Sequence, residues 1–138
     1  MQVLTISKSA IEALKAHASE GFPSEVVGIL AGDSDKHLVS VVKPLINERA
    51  DTNNRYRVNG LIVHRASQAL EAEGFDILGY YHSHPNHPSQ YSDYDRDHAL
   101  PNLSYVIVSV MEGHPETVQS WRLTEDRSQM TEEPVQIV

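Results

Sequence analysis

HSHPNHPSQYSDYD, residues 82–95, is the stretch on which the fold and the chemistry of this chain turn. Eight histidines in 138 residues amount to about one per 17-residue window, yet His82–His98 holds four, beside Asp93, Asp95 and Asp97. His82 and His84 are two apart, so both imidazoles leave the same face of an extended chain. Two nitrogens on one face can grip one cation. Neutral imidazole suits zinc, and a carboxylate completes a three-ligand site whose open fourth position is what hydrolytic zinc requires. The carboxylate must return from the loop. Ser92-Asp93-Tyr94-Asp95 has the S-x-x-D spacing of a capping box, which predicts a short helix starting at Ser92. Asp95 then either answers that cap or faces the loop mouth beside His82 and His84. Joined to the histidine pair, the ligand reading takes precedence.

The flanking sequence supplies a frame. Ile77 to His82 reads as an apolar strand running into the motif, and Pro85 to Tyr91 as a proline-rich loop leaving it. Ahead of them, Asn59 caps a helix that carries Leu61, Ile62, Ala66, Ala69 and Leu70 to a stop at Gly74. Beyond them, Tyr105 to Val110 is the clearest buried strand, and Thr117 to Leu123 pairs with it across Glu112-Gly113-His114-Pro115. The first third opens with a helix over Lys8 to Ala18, capped by Ser7 and ended by Gly21 and Pro23. EVVGILAG from Glu25 to Gly32 is of strand length, a turn follows at 32–35, and HLVSVVKPLI gives a second strand. Pro44 implies an edge position or a bulge there. A last short strand is expected at Val135 to Val138. The order α, β, β, α, β, α, β, β predicts an α/β chain of mixed α+β character, with a mixed sheet flanked by helices.

Composition narrows the functions. The length predicts one domain spanning residues 1–138, with no repeat or linker inside it. A formal net charge of −8 argues against a phosphate-tracking nucleic-acid binder and against docking on an anionic membrane. With no cysteine there is no disulfide, thiolate zinc site, iron–sulfur cluster or cysteine nucleophile, and no cysteine-ligated zinc deaminase. The N-terminus lacks a signal-peptide pattern and no apolar run approaches the roughly 20 residues of a membrane span, so a cytoplasmic protein is expected.

These residues resemble a known family. His82-Ser83-His84-Pro85, then Ser92, then Asp95 is similar to the signature of the JAMM metalloproteases of the MPN-domain family, with the same spacing. That family carries a glutamate upstream in an E-x-x-G setting, and Glu25-Val26-Val27-Gly28 fits it. The resemblance extends from the first helix to Glu132-Glu133-Pro134-Val135. It implies a single MPN domain with cytidine-deaminase-like layering and a zinc hydrolase of amide bonds. His82, His84 and Asp95 would be the metal ligands, Glu25 the general acid–base, and Ser92 a donor to the oxyanion or the water.

The small size and the run Pro23-Ser24-Glu25-Val26-Val27-Gly28-Ile29-Leu30-Ala31-Gly32 resemble the small stand-alone bacterial members, the Mec-type peptidases of ubiquitin-like sulfur-carrier proteins. The substrate implied is the C-terminal Gly-Gly of such a carrier joined to cysteine or another small residue, held by strand addition to a free sheet edge. Three alternatives stand beside it: an isopeptidase acting on other ubiquitin-like conjugates, a non-catalytic MPN scaffold, and a non-haem iron oxygenase with a His, His, carboxylate site. His87 reads as a loop histidine near the substrate groove, and Asp93 and Asp97 as helix-start charges. His17, His37, His64 and His114 have no companion ligands. The oligomeric state is open.

Overall fold

The computed structural model describes residues 2–48 and 58–138. The elements in chain order are β1 (Leu4–Ile6), α1 (Lys8–Gly21), β2 (Val27–Asp33), β3 (Leu38–Leu45), α2 (Gly60–Ala72), β4 (Asp76–Pro85), α3 (Asp93–His98), β5 (Ser104–Met111), β6 (His114–Leu123), β7 (Met130–Glu133) and β8 (Val135–Ile137). The strands form one mixed sheet in the order β7-β6-β5-β4-β2-β3-β1-β8. β4 runs antiparallel to β2 and parallel to β5, so the strand bearing the histidines is paired on both flanks.

Side chains alternate between the two faces of this sheet, and each face has its own cover. Leu30, Tyr81, Val106 and Val108 pack with Ala10, Ile11, Leu14 and Ala18 of α1. Their neighbours Val27, Ile29 and Ala31 pack with Leu70 of α2. Tyr105 and Ile107 meet Ala99, Trp121 and Met130 on that second face. Burial on both faces is why Ser104–Val110 reads as an unbroken apolar run rather than an alternating one. The helix caps form as expected: Ser7 Oγ accepts from the Ala10 N–H at 3.2 Å, and Asn59 Oδ1 from Leu61 at 2.9 Å.

Three differences from the sequence reading have physical causes. β4 does not stop at His82 but carries the whole His82–Pro85 segment, because its ladder with β5 continues to Pro85 opposite Val110. β1 and β7 are strands of three and four residues, too short for a periodic signal, and MTEE is polar besides. Pairing defines them. Glu25 precedes β2 rather than opening it, although the Ser83 N–H still donates to the Val26 carbonyl at 3.1 Å. Pro44 faces Gly28 where β3 has run past its β1 partners Leu38 and Val39, a locally open edge that needs no N–H; the irregularity of the β2–β3 pair lies at Ala31/Gly32.

Only Pro134 separates β7 from β8, yet these strands end the sheet order on opposite sides. The sheet is therefore rolled until its two ends share one chain segment. At that seam the Glu133 carboxylate accepts from Ser120 Oγ at 2.7 Å and lies 3.2 Å from His37 Nε2, with both residues buried. Among the described residues no helix is long and apolar enough to cross a membrane.

Gly28 ties the fold to the site. It stands opposite Tyr81, whose ring lies across it, and a Cβ at position 28 would overlap that ring. Tyr81 precedes His82 and is fully buried, with its hydroxyl 2.8 Å from His17 Nδ1. Gly28→Ala is therefore expected to cost about 1–3 kcal/mol through overpacking. Urea unfolding of the variant against the parent chain measures it.

Candidate metal centre

The β-strand period places the first donors. Tyr80, His82 and His84 alternate with Tyr81 and Ser83, so the two imidazoles project from the face of β4 opposite α1. In the antiparallel register Val27 stands opposite His82, which puts Glu25, two residues earlier, beside His84. One ligand atom from each of Glu25, His82 and His84 lies within 4.8 Å of the others, and Glu25 and His82 are buried.

Asp95 reaches the same point from α3. Its two sequence readings prove to be one structure. The Asp95 N–H donates to Ser92 Oγ at 3.1 Å and the Ser92 N–H donates to Asp95 Oδ2 at 2.9 Å, the reciprocal bonds of a capping box. The same carboxylate approaches His82 Nε2 at 3.0 Å through Oδ1 and His84 Nε2 at 3.2 Å through Oδ2. A side chain locked at the third helical position by its cap is thereby aimed at both histidines.

Protons decide what this cluster can hold. The Pro88 carbonyl can only accept, and it lies 2.9 Å from His84 Nδ1, so that nitrogen carries a hydrogen. In the neutral ring Nε2 then presents a lone pair, 3.2 Å from His82 Nε2 and 3.2 Å from a carboxylate oxygen. Electron-rich atoms held this close require positive charge among them, supplied by ring protons or by one cation. Burial pulls the pKa of His84 down, but hydrogen bonds to Asp95 and Pro88 and the charges of Asp95 and Glu25 outweigh it and raise the pKa above 6.5. Burial likewise pushes Asp95 up, and the His82 charge with hydrogen bonds from His82, His84 and the Ser92 N–H holds it well below the usual carboxylate range. The donor set, two imidazoles with carboxylates beside them, fits a divalent cation.

Glu25, His84 and Asp95 line an open cleft of about 440 Å³ together with His87, Gln90, Ser92, Asp93 and Tyr94. His87 thus lies where the sequence suggested, near the groove. Asp93 is a first-turn acid of α3, and both Asp93 and Asp97 pair with Arg96. His17 and His37 are engaged elsewhere, with Tyr81 and Glu133. Gln90 and Tyr94 were not singled out from the sequence. Their position inside the 82–95 motif was the available signal.

Residues 7–124 match the family described as prokaryotic homologs of the JAB domain. The chain belongs to that family. Relatives within it are named as peptidases and a desampylase, and the chain is a peptidase of the JAMM type. It is 35% identical over 111 residues to a desampylase of Haloferax volcanii, covering 77% of this chain and 80% of that one. A probable TtuB-protein conjugate cleaving protease of Thermus thermophilus is 35% identical over 105 residues, 76% of this chain and 69% of its own. A CysO-cysteine peptidase of Mycobacterium tuberculosis is 31% identical over 138 residues, 99% and 92% of the two chains. The fold is shared with a JAB1/MPN domain protein of Archaeoglobus fulgidus, at a TM-score of 0.61 and 15% identity, over 98% of this chain and 96% of that one.

The charge balance at His84 has a direct readout. In metal-free protein its ring should titrate above 6.5, and in Asp95→Asn, where burial is left with less opposition, the midpoint should fall. Histidine NMR resonances followed with pH measure both. A raised folded-state pKa favours the folded form below the unfolded value, so this contribution should vanish as pH climbs through the folded midpoint.

Proposed function

We propose that this chain is a zinc-dependent peptidase that hydrolyses the peptide or isopeptide bond at the C-terminal Gly-Gly of a ubiquitin-like sulfur-carrier protein, releasing cysteine or another small amine. The observation that carries the metal is the convergence of His82 Nε2, His84 Nε2 and the Asp95 carboxylate at 3.0–3.2 Å. Ligands on a tetrahedral zinc with bonds of about 2.0–2.1 Å stand about 3.3 Å apart. His82, His84 and Asp95 would hold the ion. When bound, it supplies an activated water at neutral pH and polarises the scissile carbonyl.

The protein's own groups handle protons and charge. Glu25, buried within 4.8 Å of the histidine nitrogens, takes the proton of the attacking water and returns it to the departing amine. Ser92 Oγ already accepts from the Asp95 N–H, which leaves its own hydrogen to donate to the carbonyl oxygen as that oxygen gains negative charge. One side chain serves as helix cap and as oxyanion donor.

A glycine pair suits the substrate side because it has no side chains to keep the scissile bond away from a recessed cluster. The relatives named for CysO and TtuB conjugates support a small ubiquitin-like carrier as the protein partner. β4, which carries the histidines, and β2 beside it are paired on both flanks; the nearest open edge among the described residues is the outer side of β3 from Val42 to Leu45. Strand addition of the carrier tail would use that edge, with β3 and β2 between the tail and the histidine strand β4.

Two experiments separate the roles. Metal-reconstituted His84→Ala and Asp95→Ala should lose tight zinc while the parent holds one ion per chain; full retention in both overturns the ligand assignment. Glu25→Gln should keep its zinc and lose about 10²–10⁴ in rate on a carrier-Gly-Gly-cysteine adduct, followed by mass spectrometry. Metal loss in that variant makes Glu25 a ligand instead. Rapid cleavage of linked ubiquitin beside an untouched carrier adduct favours the broader isopeptidase reading.

A further inference from the structure

Three consecutive carbonyls of the loop between His84 and Ser92 each accept from a side chain on a different strand. The His87 carbonyl accepts from Ser109 Oγ of β5 at 2.6 Å, and the Pro88 carbonyl from His84 Nδ1 of β4 at 2.9 Å. The Ser89 carbonyl accepts from Trp121 Nε1 of β6 at 3.0 Å. Ser109, Ser89 and Trp121 are all buried.

The middle bond sets which nitrogen of His84 is free for the site, and the outer two fix where its acceptor stands. A single carbonyl on an untethered loop could rotate away and release the imidazole. With both neighbouring carbonyls held, the Pro88 oxygen has little freedom to turn. Ser89 is fastened further, its Oγ donating to Gln119 at 2.6 Å and lying 2.8 Å from Thr117 Oγ1. A buried indole N–H left without its acceptor is costly, so Trp121 opposes any drift of the loop.

We infer that Trp121 and Ser109 are positioning residues that set the orientation and tautomer of His84 by clamping the loop carbonyls on either side of Pro88. They touch neither substrate nor reacting atoms. Hydrogen-bond partners of a ligating histidine commonly govern metal affinity by 10–100-fold, and here that control is one step further out. The inference rests on the reading of His84 as a zinc ligand.

The test compares zinc affinity by competition with a chelating dye, and the His84 Nδ1–H resonance in zinc-loaded, histidine-labelled protein. Trp121→Phe keeps an aromatic ring without the N–H, and Ser109→Ala removes the hydroxyl. Each should bind zinc about tenfold more weakly and broaden or shift that resonance, while Ser109→Thr restores both. Met130→Ala loosens the apolar cluster that contains Trp121 without touching any of the three bonds. It should lower the unfolding midpoint and leave zinc affinity unchanged. If Met130→Ala weakens zinc as much as Trp121→Phe, packing alone accounts for the effect and the inference falls. Parent-like affinity and resonance in Trp121→Phe and Ser109→Ala, alongside loss of zinc in His84→Ala, overturn the clamp alone. Parent-like zinc binding by His84→Ala overturns the ligand reading and the clamp with it.

Discussion

One carboxylate holds this site together. Asp95 accepts the Ser92 N–H, so it closes the first turn of α3, and it faces His82 and His84 at 3.0 and 3.2 Å. Its charge is the counterweight to the positive charge, ring protons or one cation, that the crowded nitrogens and carboxylate oxygens require among them. The helix cap, the loop that leads to it and the strand beneath are all arranged around that requirement.

The strand beneath meets it by pairing on both sides. β4 stays extended through Pro85 because β5 runs parallel beside it to Val110, and this keeps His82 and His84 on one face. β2 brings Glu25 to the same corner through its register with β4, and Gly28 leaves room for the Tyr81 ring between sheet and α1. The rolled sheet and its buried His37–Glu133 seam complete the frame at the far end. The side chains of the cluster thus sit on β4, just ahead of β2 and on a capped helix, and rigid elements hold such a geometry more precisely than loops do.

Within the 82–95 motif, closing the helix cap and facing the histidines are compatible for one side chain, Asp95. Capping orients Asp95 toward the loop mouth, and the loop mouth is where the histidines lie. The S-x-x-D spacing could be read either way in the sequence because both readings describe the same local conformation.

The sequence by itself determined the local chemistry. The i, i+2 histidines, the S-x-x-D cap and the apolar runs of β2 and β5 are short-range patterns, and short-range patterns carry strand period and helix caps directly. Tertiary structure alone decided the rest. No local signal marks β1 or β7, which exist through pairing with distant strands, or the closure of the sheet across Pro134. Nor does any local pattern show that Trp121 and Ser109, far along the chain, donate to the loop beside His84. Those bonds join residues separated by 32 and 22 positions, and they form only once the sheet has set its strands side by side.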